Sequence, residues 1–582
     1  MQSLTNIQSD RRYKIVTDEK ADGATYTPPH LATFVASQIV ESANLSNTEL
    51  HILDPAVGDG ELLLSLVAKI LGRSDAAIVV HGFDTNPAAL AIAQQRIETA
   101  FPNVDLRLQV KSFLEFVTEN NFTGEPLSLF SSLDEPLLFD LIIANPPYVR
   151  TQIMGANQAQ KLAAGFELNG RVDLYHAFLI AMAQVLKPTG TAGIIVSNRF
   201  MTTKSGASLR TALRTRLGLR HVWDLGDTKL FDAAVLPAVI LADGHNGHVL
   251  PTPGFTSIYE TEEPPTLEAA DPIDALTMTG NVGVKNGRCF RVQHGTLNNS
   301  GPNDDVWRIA TTQTDIWLST VLNHTWRTFG DIGKIRVGVK TCADKIFIRS
   351  DWHELPENER PELLRTLTTH HIARRFRSIS PKKRREILYP HESINGQRRA
   401  VNLSEKPKSL AYLESHRAVL EARTYVMKGG RRWYELWVPQ DPTAWDAPKL
   451  VFRDISERPT FWMDLEGSVV NGDCYWMTTE KGNPEEEELL WLAAAVANSK
   501  FIETFYDHRF NNKLYAGRRR FMTQYVEQFP LPDPETTLTR KIVKMTKEIY
   551  ANVNERPTAD IEARLDALIW QAFGLSVEEV TR

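Results

Sequence analysis

The residues best suited to chemistry stand at Asn145-Pro146-Pro147-Tyr148, where an amide and a phenol flank two prolines. Four apolar residues, Leu141-Ile142-Ile143-Ala144, lead into them. Prolines extend neither a strand ladder nor a helix. The stretch therefore reads as a buried strand that stops abruptly and presents Asn145 and Tyr148 at its carboxyl end, the edge where open α/β sheets bind ligands. Asn145 Oδ1 and the carbonyl of Pro146 would be two fixed acceptors. They suit the two hydrogens of a ring amine such as that of adenine, whose nitrogen lone pair is delocalised and poorly nucleophilic. Held so, the nitrogen is drawn toward a tetrahedral shape with its lone pair aimed at an electrophile, and Tyr148 offers a face to the base. A sulfonium methyl donor is already activated, so such a site works by positioning and electrostatics, with no acid of tuned pKa. A plain strand end followed by a proline turn, with Tyr148 as rim packing, accounts for the same four residues, so the neighbourhood decides.

Two further segments supply that neighbourhood. Asp54-Pro55-Ala56-Val57-Gly58-Asp59-Gly60 follows an apolar strand pattern and opens a helical one. Its glycines permit a tight turn and close ligand approach, and the helix start offers N–H groups. Phe83-Asp84-Thr85-Asn86 ends the next strand pattern, placing a carboxylate about 25 residues after the loop, where an acid can hold both ribose hydroxyls of a nucleoside. Gly58 as a simple turn and Asp84 as a helix cap ahead of Pro87 remain alternatives for each segment alone. Their occurrence together, on successive strand ends, favours a nucleoside-bearing cofactor.

The elements that must position these residues alternate. Short apolar runs at 51–53, 78–83, 138–143 and 192–196 are interleaved with helical patterns at 61–71, 87–100 and 173–187. This rhythm implies βαβ units and a mainly parallel sheet whose loops gather at one edge. It breaks after Asp243, where Gly- and Pro-containing stretches read as linkers or long loops. Helical patterns return at 485–510 and from Thr537 onward. The expected organisation is an α/β domain over 1–250, a connecting region over 251–330 and an α+β domain over 331–582.

A chain of 582 residues exceeds a single core. No apolar run approaches the ~20 residues a bilayer crossing needs, and the polar start MQSLTNIQSDRR does not read as a signal peptide. Cys289, Cys342 and Cys474 are too dispersed for a metal-ligand pair or a disulfide framework, which suits a reducing cytoplasm. Net charge is −6, yet residues 331–440 hold 23 Lys and Arg against 13 Asp and Glu, leaving −16 for the remainder. That asymmetry suggests one region facing a polyanion; a solvated basic face is the alternative.

Taken together, these residues resemble the gamma-class, TaqI-like DNA adenine N6-methyltransferases over roughly residues 25–243. The resemblance implies a Rossmann-like domain binding S-adenosylmethionine, followed by a target-recognition domain, and a base swung out of double-stranded DNA. By this likeness Tyr26, Thr27 and Pro28, with Asp54, Ala56 and Gly58, surround the methionine moiety. Asp84 grips the ribose, Asn86 and Asn145 also belong to the cofactor site, and Asn145, Pro146, Pro147 and Tyr148 form the catalytic motif. Val196-Ser197-Asn198-Arg199-Phe200 resembles the later strand-end segment, and Phe231 is implied to stack opposite Tyr148, with a core role as its alternative. The family's third strand end carries an acid, whereas this chain has Ser112 and Phe113 in the aligned stretch. Those two residues stand in as hydrogen-bond acceptor and stacking ring.

For DNA contacts the sequence offers Lys340, Arg375, Arg377, the run Lys382-Lys383-Arg384-Arg385, Arg431, Arg432, Asn511, Asn512, Lys513, Arg518 and Arg519. The segment Arg336–Lys345 resembles the start of the family's recognition domain. No spaced Asp…Glu-x-Lys nuclease group is evident, so a methylase acting as a monomer, beside a separate restriction endonuclease or alone, is expected. RNA adenine or protein glutamine N-methylation, and a catalytically silent DNA-binding subunit, are the competing readings.

Overall fold

The computed structural model describes residues 26–119, 137–148, 165–166, 173–231, 236–245, 252–299, 306–380, 384–479, 484–510 and 518–576. The chain forms two compact units that divide between Thr311 and Thr312.

The first unit is built on β1 (Glu49–Asp54), β2 (Ala77–Asp84), β3 (Asp105–Val110), β4 (Phe139–Ala144), β5 (Leu186–Ser197), β6 (Leu217–Asp224) and β7 (Pro237–Gly244), in the order 3-2-1-4-5-7-6. β7 alone runs antiparallel to its neighbours in this set. The inner strands are largely apolar on both sides because helices cover both faces, whereas β3 at the edge alternates and is partly exposed. On one face α1 (Pro29–Ser42), α2 (Glu61–Leu71) and α3 (Pro87–Ala100) pack on Ile52, Val80, Ile143 and Ile195. On the other, α4 (Phe113–Glu119), α5 (Leu174–Val185) and α6 (Ala207–Arg216) pack on Leu53, Phe83, Ile142 and Val196. α2 and α3 have the bounds that the helical patterns at 61–71 and 87–100 predict. Strand order reverses between β1 and β4, so the Asp54 and Asn145 loops open side by side at the switch point.

The stretch expected as a connection over 251–330 divides instead. β8 (Gly254–Glu260), β9 (Leu267–Ala269), β10 (Gly280–Val284), β11 (Cys289–Asn298) and β12 (Arg308–Ala310) extend the sheet beyond β6 in the order 8-11-10-9, with β12 on β11. Residues from Thr312 belong to the second unit. The glycines that read as linker permit close strand approach: a Cβ at Gly254 would lie 2.2 Å from His221 Nδ1 on β6. β11 also alternates buried and exposed residues, so it lacks the apolar run of the earlier strands.

The second unit centres on a five-stranded sheet ordered Lys334–Val337, Cys474–Thr478, Lys449–Arg453, Phe461–Asp464, Phe376–Arg377. Trp352, Trp445, Trp462 and Trp476 are fully buried in its core. The helical pattern at 485–510 breaks into Pro484–Ala497 and Lys500–Phe510, because Asn498 folds its amide onto Ala494 and Phe461. Among the described residues no helix is long and apolar enough to cross a membrane.

Candidate active site

β1 ends at Asp54, whose Oδ1 accepts the Ala56 N–H at 3.0 Å and closes the turn. Asp54 is fully buried, and its Oδ2 has no hydrogen-bond partner. Burial pushes its carboxyl up to about 7, opposed by the Ala56 bond and reinforced by the neighbouring Asp84. Gly58 (φ +54°) and Gly60 (φ +85°) carry the chain through left-handed conformations into α2. A Cβ on Gly60 would lie 3.0 Å from that of Ala93 on α3. A Cβ on Gly58 would come within 3.9 Å of the Tyr26 ring, which is largely exposed beside the loop.

The Asp84 carboxylate accepts the Gly58 N–H at 2.8 Å and the Asn86 N–H at 2.7 Å. It thus ties the β2 end to the β1 loop, and each oxygen keeps a further acceptor site. The helix-cap alternative for Asp84 falls to Asn86, whose Oδ1 accepts the Ala88 and Ala89 N–H groups of α3.

Beyond β4, Asn145 donates through Nδ2 to Thr27 Oγ1 at 3.1 Å, and the Tyr148 hydroxyl donates to Asn145 Oδ1 at 3.1 Å. The Tyr148 ring meets Tyr175 of α5 edge-on, with centroids 5.9 Å apart. Burial pushes the Tyr148 phenol up, so it remains a neutral donor. Tyr175 is a site neighbour that the sequence reading missed; its position four residues before Leu179 on a helix reads only as core.

Two aromatics expected at the site are buried in the core clusters. Phe113 is buried among Phe83, Phe116 and Phe178, so the structure does not bring its ring to the surface of the edge. Ser112 is half-buried, and its carbonyl accepts the Phe116 N–H as α4 begins. Phe231 packs with Trp223 and Leu225 in the core on the α1–α3 face, whereas Tyr148 packs on the opposite face. The structure therefore does not pair their rings.

A buried network fixes the approach to Phe231. Asn198, following β5, donates to Asp224 at 2.9 Å, and the Tyr259 hydroxyl donates to the same carboxylate at 2.7 Å. Burial raises the Asp224 carboxyl to about 6 against those bonds. Arg288 reaches back from β11's approach to donate to the Asp227 and Thr228 carbonyls at 2.7 and 2.9 Å. Neither Asp224 nor Arg288 was singled out in the sequence; Asp224 ends β6, whose strand pattern would have been its signal, and Arg288 had none.

The comparisons agree with this edge. Residues 79–231 match the Eco57I restriction-modification methylase family and residues 395–531 the TaqI-like C-terminal specificity domain. Over 581 residues the chain is 38% identical to the type II methyltransferase M.BanIII of Aneurinibacillus aneurinilyticus, covering 97% of this chain and 98% of that one. The chain belongs to the type II methyltransferases of restriction-modification systems. It is 27% identical to M.XhoI of Xanthomonas vasicola over 96% of its length and 98% of that protein. Its fold matches that of a nuclease-deletion mutant of the type ISP restriction-modification enzyme LlaGI, solved with a DNA substrate mimic, at a TM-score of 0.52 and 12% identity, over 92% of this chain and 55% of that one.

The cofactor of this methyltransferase is S-adenosylmethionine, and the edge suits it. The partnerless Asp54 Oδ2 fits a cationic group, Asp84 keeps acceptor sites for ribose hydroxyls, and Gly58 leaves room beneath Tyr26. The basic clusters of the specificity unit divide. Arg519 is nearly buried, bidentate to Asp507 and bonded to the Glu457 carbonyl. Arg375 pairs with Glu562, Arg431 donates to the Leu436 and Trp437 carbonyls, and Arg377 lies over the Tyr550 ring. These groups hold the unit together, Arg375 and Arg377 through partners too distant in sequence to be foreseen. Lys340, Arg432 and Arg518 are exposed, and Lys340 borders a groove of about 680 Å³ between Val339–Ile346 and Asn471–Asp473. Lys382, Lys383, Asn511, Asn512 and Lys513 lie outside the described residues.

Proposed function

We propose that this DNA methyltransferase moves the methyl group of S-adenosylmethionine to N6 of an adenine swung out of double-stranded DNA. The observation that carries the reading is the Asn145 amide at the β4 end, its nitrogen turned to Thr27 and its oxygen toward Tyr148. The cofactor supplies an activated sulfonium methyl. Asn145 Oδ1 accepts one amine hydrogen, and the Pro146 carbonyl accepts the other. The amine nitrogen is thereby held with its lone pair directed, and Tyr148 takes the base on its ring. Lys340, Arg432 and Arg518 neutralise phosphates, and Arg375, Arg377, Arg431 and Arg519 brace the surface from which they act. The enzyme works as a monomer in the cytoplasm, beside a separate cognate endonuclease or by itself.

Labelled S-adenosylmethionine offered with mixed genomic DNA, total RNA and cell protein tests this reading. After digestion to nucleosides, label is expected in N6-methyladenine of DNA at one short motif. Label confined to RNA or protein overturns the substrate, and label in N4-methylcytosine overturns the target atom.

A further inference from the structure

The hydrogen bond between Thr27 and Asn145 joins residues 118 positions apart, each locked by prolines. Thr27 precedes Pro28-Pro29 and Asn145 precedes Pro146-Pro147, the only two Pro-Pro pairs between Tyr26 and Tyr148. A residue before proline is confined to extended backbone, and proline fixes its own φ. Pro28 stands at φ −60°, ψ 141°, and Pro29 opens α1, so Thr27 is set at a rigid helix entry. It is buried, 9% exposed. Asn145 leaves β4, whose six residues are all buried. A side-chain hydrogen bond thus joins two stiff backbones.

Thr27 Oγ1 accepts an amide hydrogen of Asn145, and Tyr148 donates to its Oδ1. Each of these hydroxyls can donate or accept, so the two bonds hold the plane of the amide in place at the strand end. An amide free to rotate about its Cβ–Cγ bond would carry Oδ1 out of line with an incoming amine. We infer that Thr27 is a positioning residue that anchors the catalytic Asn145 amide, beyond any contact it makes with the cofactor. This rests on Asn145 as the acceptor of the target amine.

The test uses the full-length protein, labelled S-adenosylmethionine and genomic DNA in single-turnover assays, with cofactor affinity measured separately by calorimetry. Thr27→Val keeps the shape and removes the acceptor. At saturating cofactor it is expected to lower the transfer rate constant roughly 10- to 100-fold, whether or not the cofactor Kd changes. Thr27→Ser, which keeps the hydroxyl, is expected to recover most of the rate. Thr27→Ala replaces the valine variant if the latter does not fold. A weakened cofactor Kd with an unchanged rate constant overturns the inference and makes Thr27 a cofactor contact alone. An unchanged rate and Kd overturn it as well, as does a serine variant as slow as valine. Asn145→Ala is run alongside: if it turns over normally, the amide is not the acceptor and the functional reading itself fails. If it is inactive while Thr27→Val is not, only the positioning role fails.

Discussion

The two units use polar side chains in opposite ways. At the edge of the first, key groups bond to backbone or to one another and retain capacity for a ligand. Asp54 has a buried oxygen without a partner, and Asp84 grips the Gly58 and Asn86 amides with acceptor sites to spare. In the second, several residues that look most like ligand contacts are consumed internally. Arg519 is held by Asp507 and Glu457, and Arg375 by Glu562 and Asn498. A strand end exposes its polar groups by geometry, because backbone pairing has stopped there and the next element has yet to begin. An arginine on a helix or loop has no such constraint. Its long stem reaches whatever acid or carbonyl the tertiary fold supplies.

Substitutions can break this contrast, and the largest effect is expected at the strand end. Asn145→Ala should lower the methyl-transfer rate constant by about 10²–10³, equivalent to removing one preorganised electrostatic contact, with DNA binding in a gel-shift assay retained. A variant that loses DNA binding in proportion would make Asn145 structural and erase the distinction. Arg519→Ala should act in the opposite sense, on stability. Leaving Asp507 without its nearly buried partner is expected to cost about 3 kcal/mol, read in a thermal melt as a fall of roughly 6–10 °C. A normal melt with weakened DNA affinity would move Arg519 back among the DNA contacts.

Smaller effects sharpen the comparison. The Asp54 carboxyl titrates near 7 in the folded protein against an ordinary 3.8, so the native state holds that proton more tightly than the unfolded chain. Its contribution to stability is fully present below about pH 4 and is lost as pH rises through about 7. Asp54→Asn carries no charge to bury. Without cofactor, its melting temperature should rise relative to the wild type by roughly 4–6 °C between pH 5 and pH 8. A gap that stays constant across that range would mean Asp54 is solvated. Arg432→Ala is expected to do least to the fold, within about 0.5 kcal/mol. The proposal that it meets a phosphate predicts that the slope of log affinity against log salt falls by about 1.

What could be read in advance follows the same division. The βαβ rhythm, the Asp54 and Asp84 loops and the Asn145–Tyr148 motif were legible because doubly covered parallel strands are uniformly apolar and end in recognisable loops. β11 was hidden because its burial alternates, and β8 because its leading glycine imitates a linker; Gly254 allows close contact with His221. Phe231 was readable as an aromatic near the site, but which face of the sheet it packs on depends on contacts with Trp223 and Leu225.

By itself the sequence determined the order of strand ends and the chemical types placed on them, since local periodicity sets where strands stop and proline fixes backbone where they do. Only the tertiary structure decided which of those groups meet. Asn145 faces Thr27 rather than solvent, Asn86 rather than Asp84 caps α3, and Arg519 turns to Asp507. The physical reason is reach. A hydrogen bond is chosen within about 3 Å in space, and no spacing along a chain encodes which residue, 118 or 12 positions away, will stand at that distance.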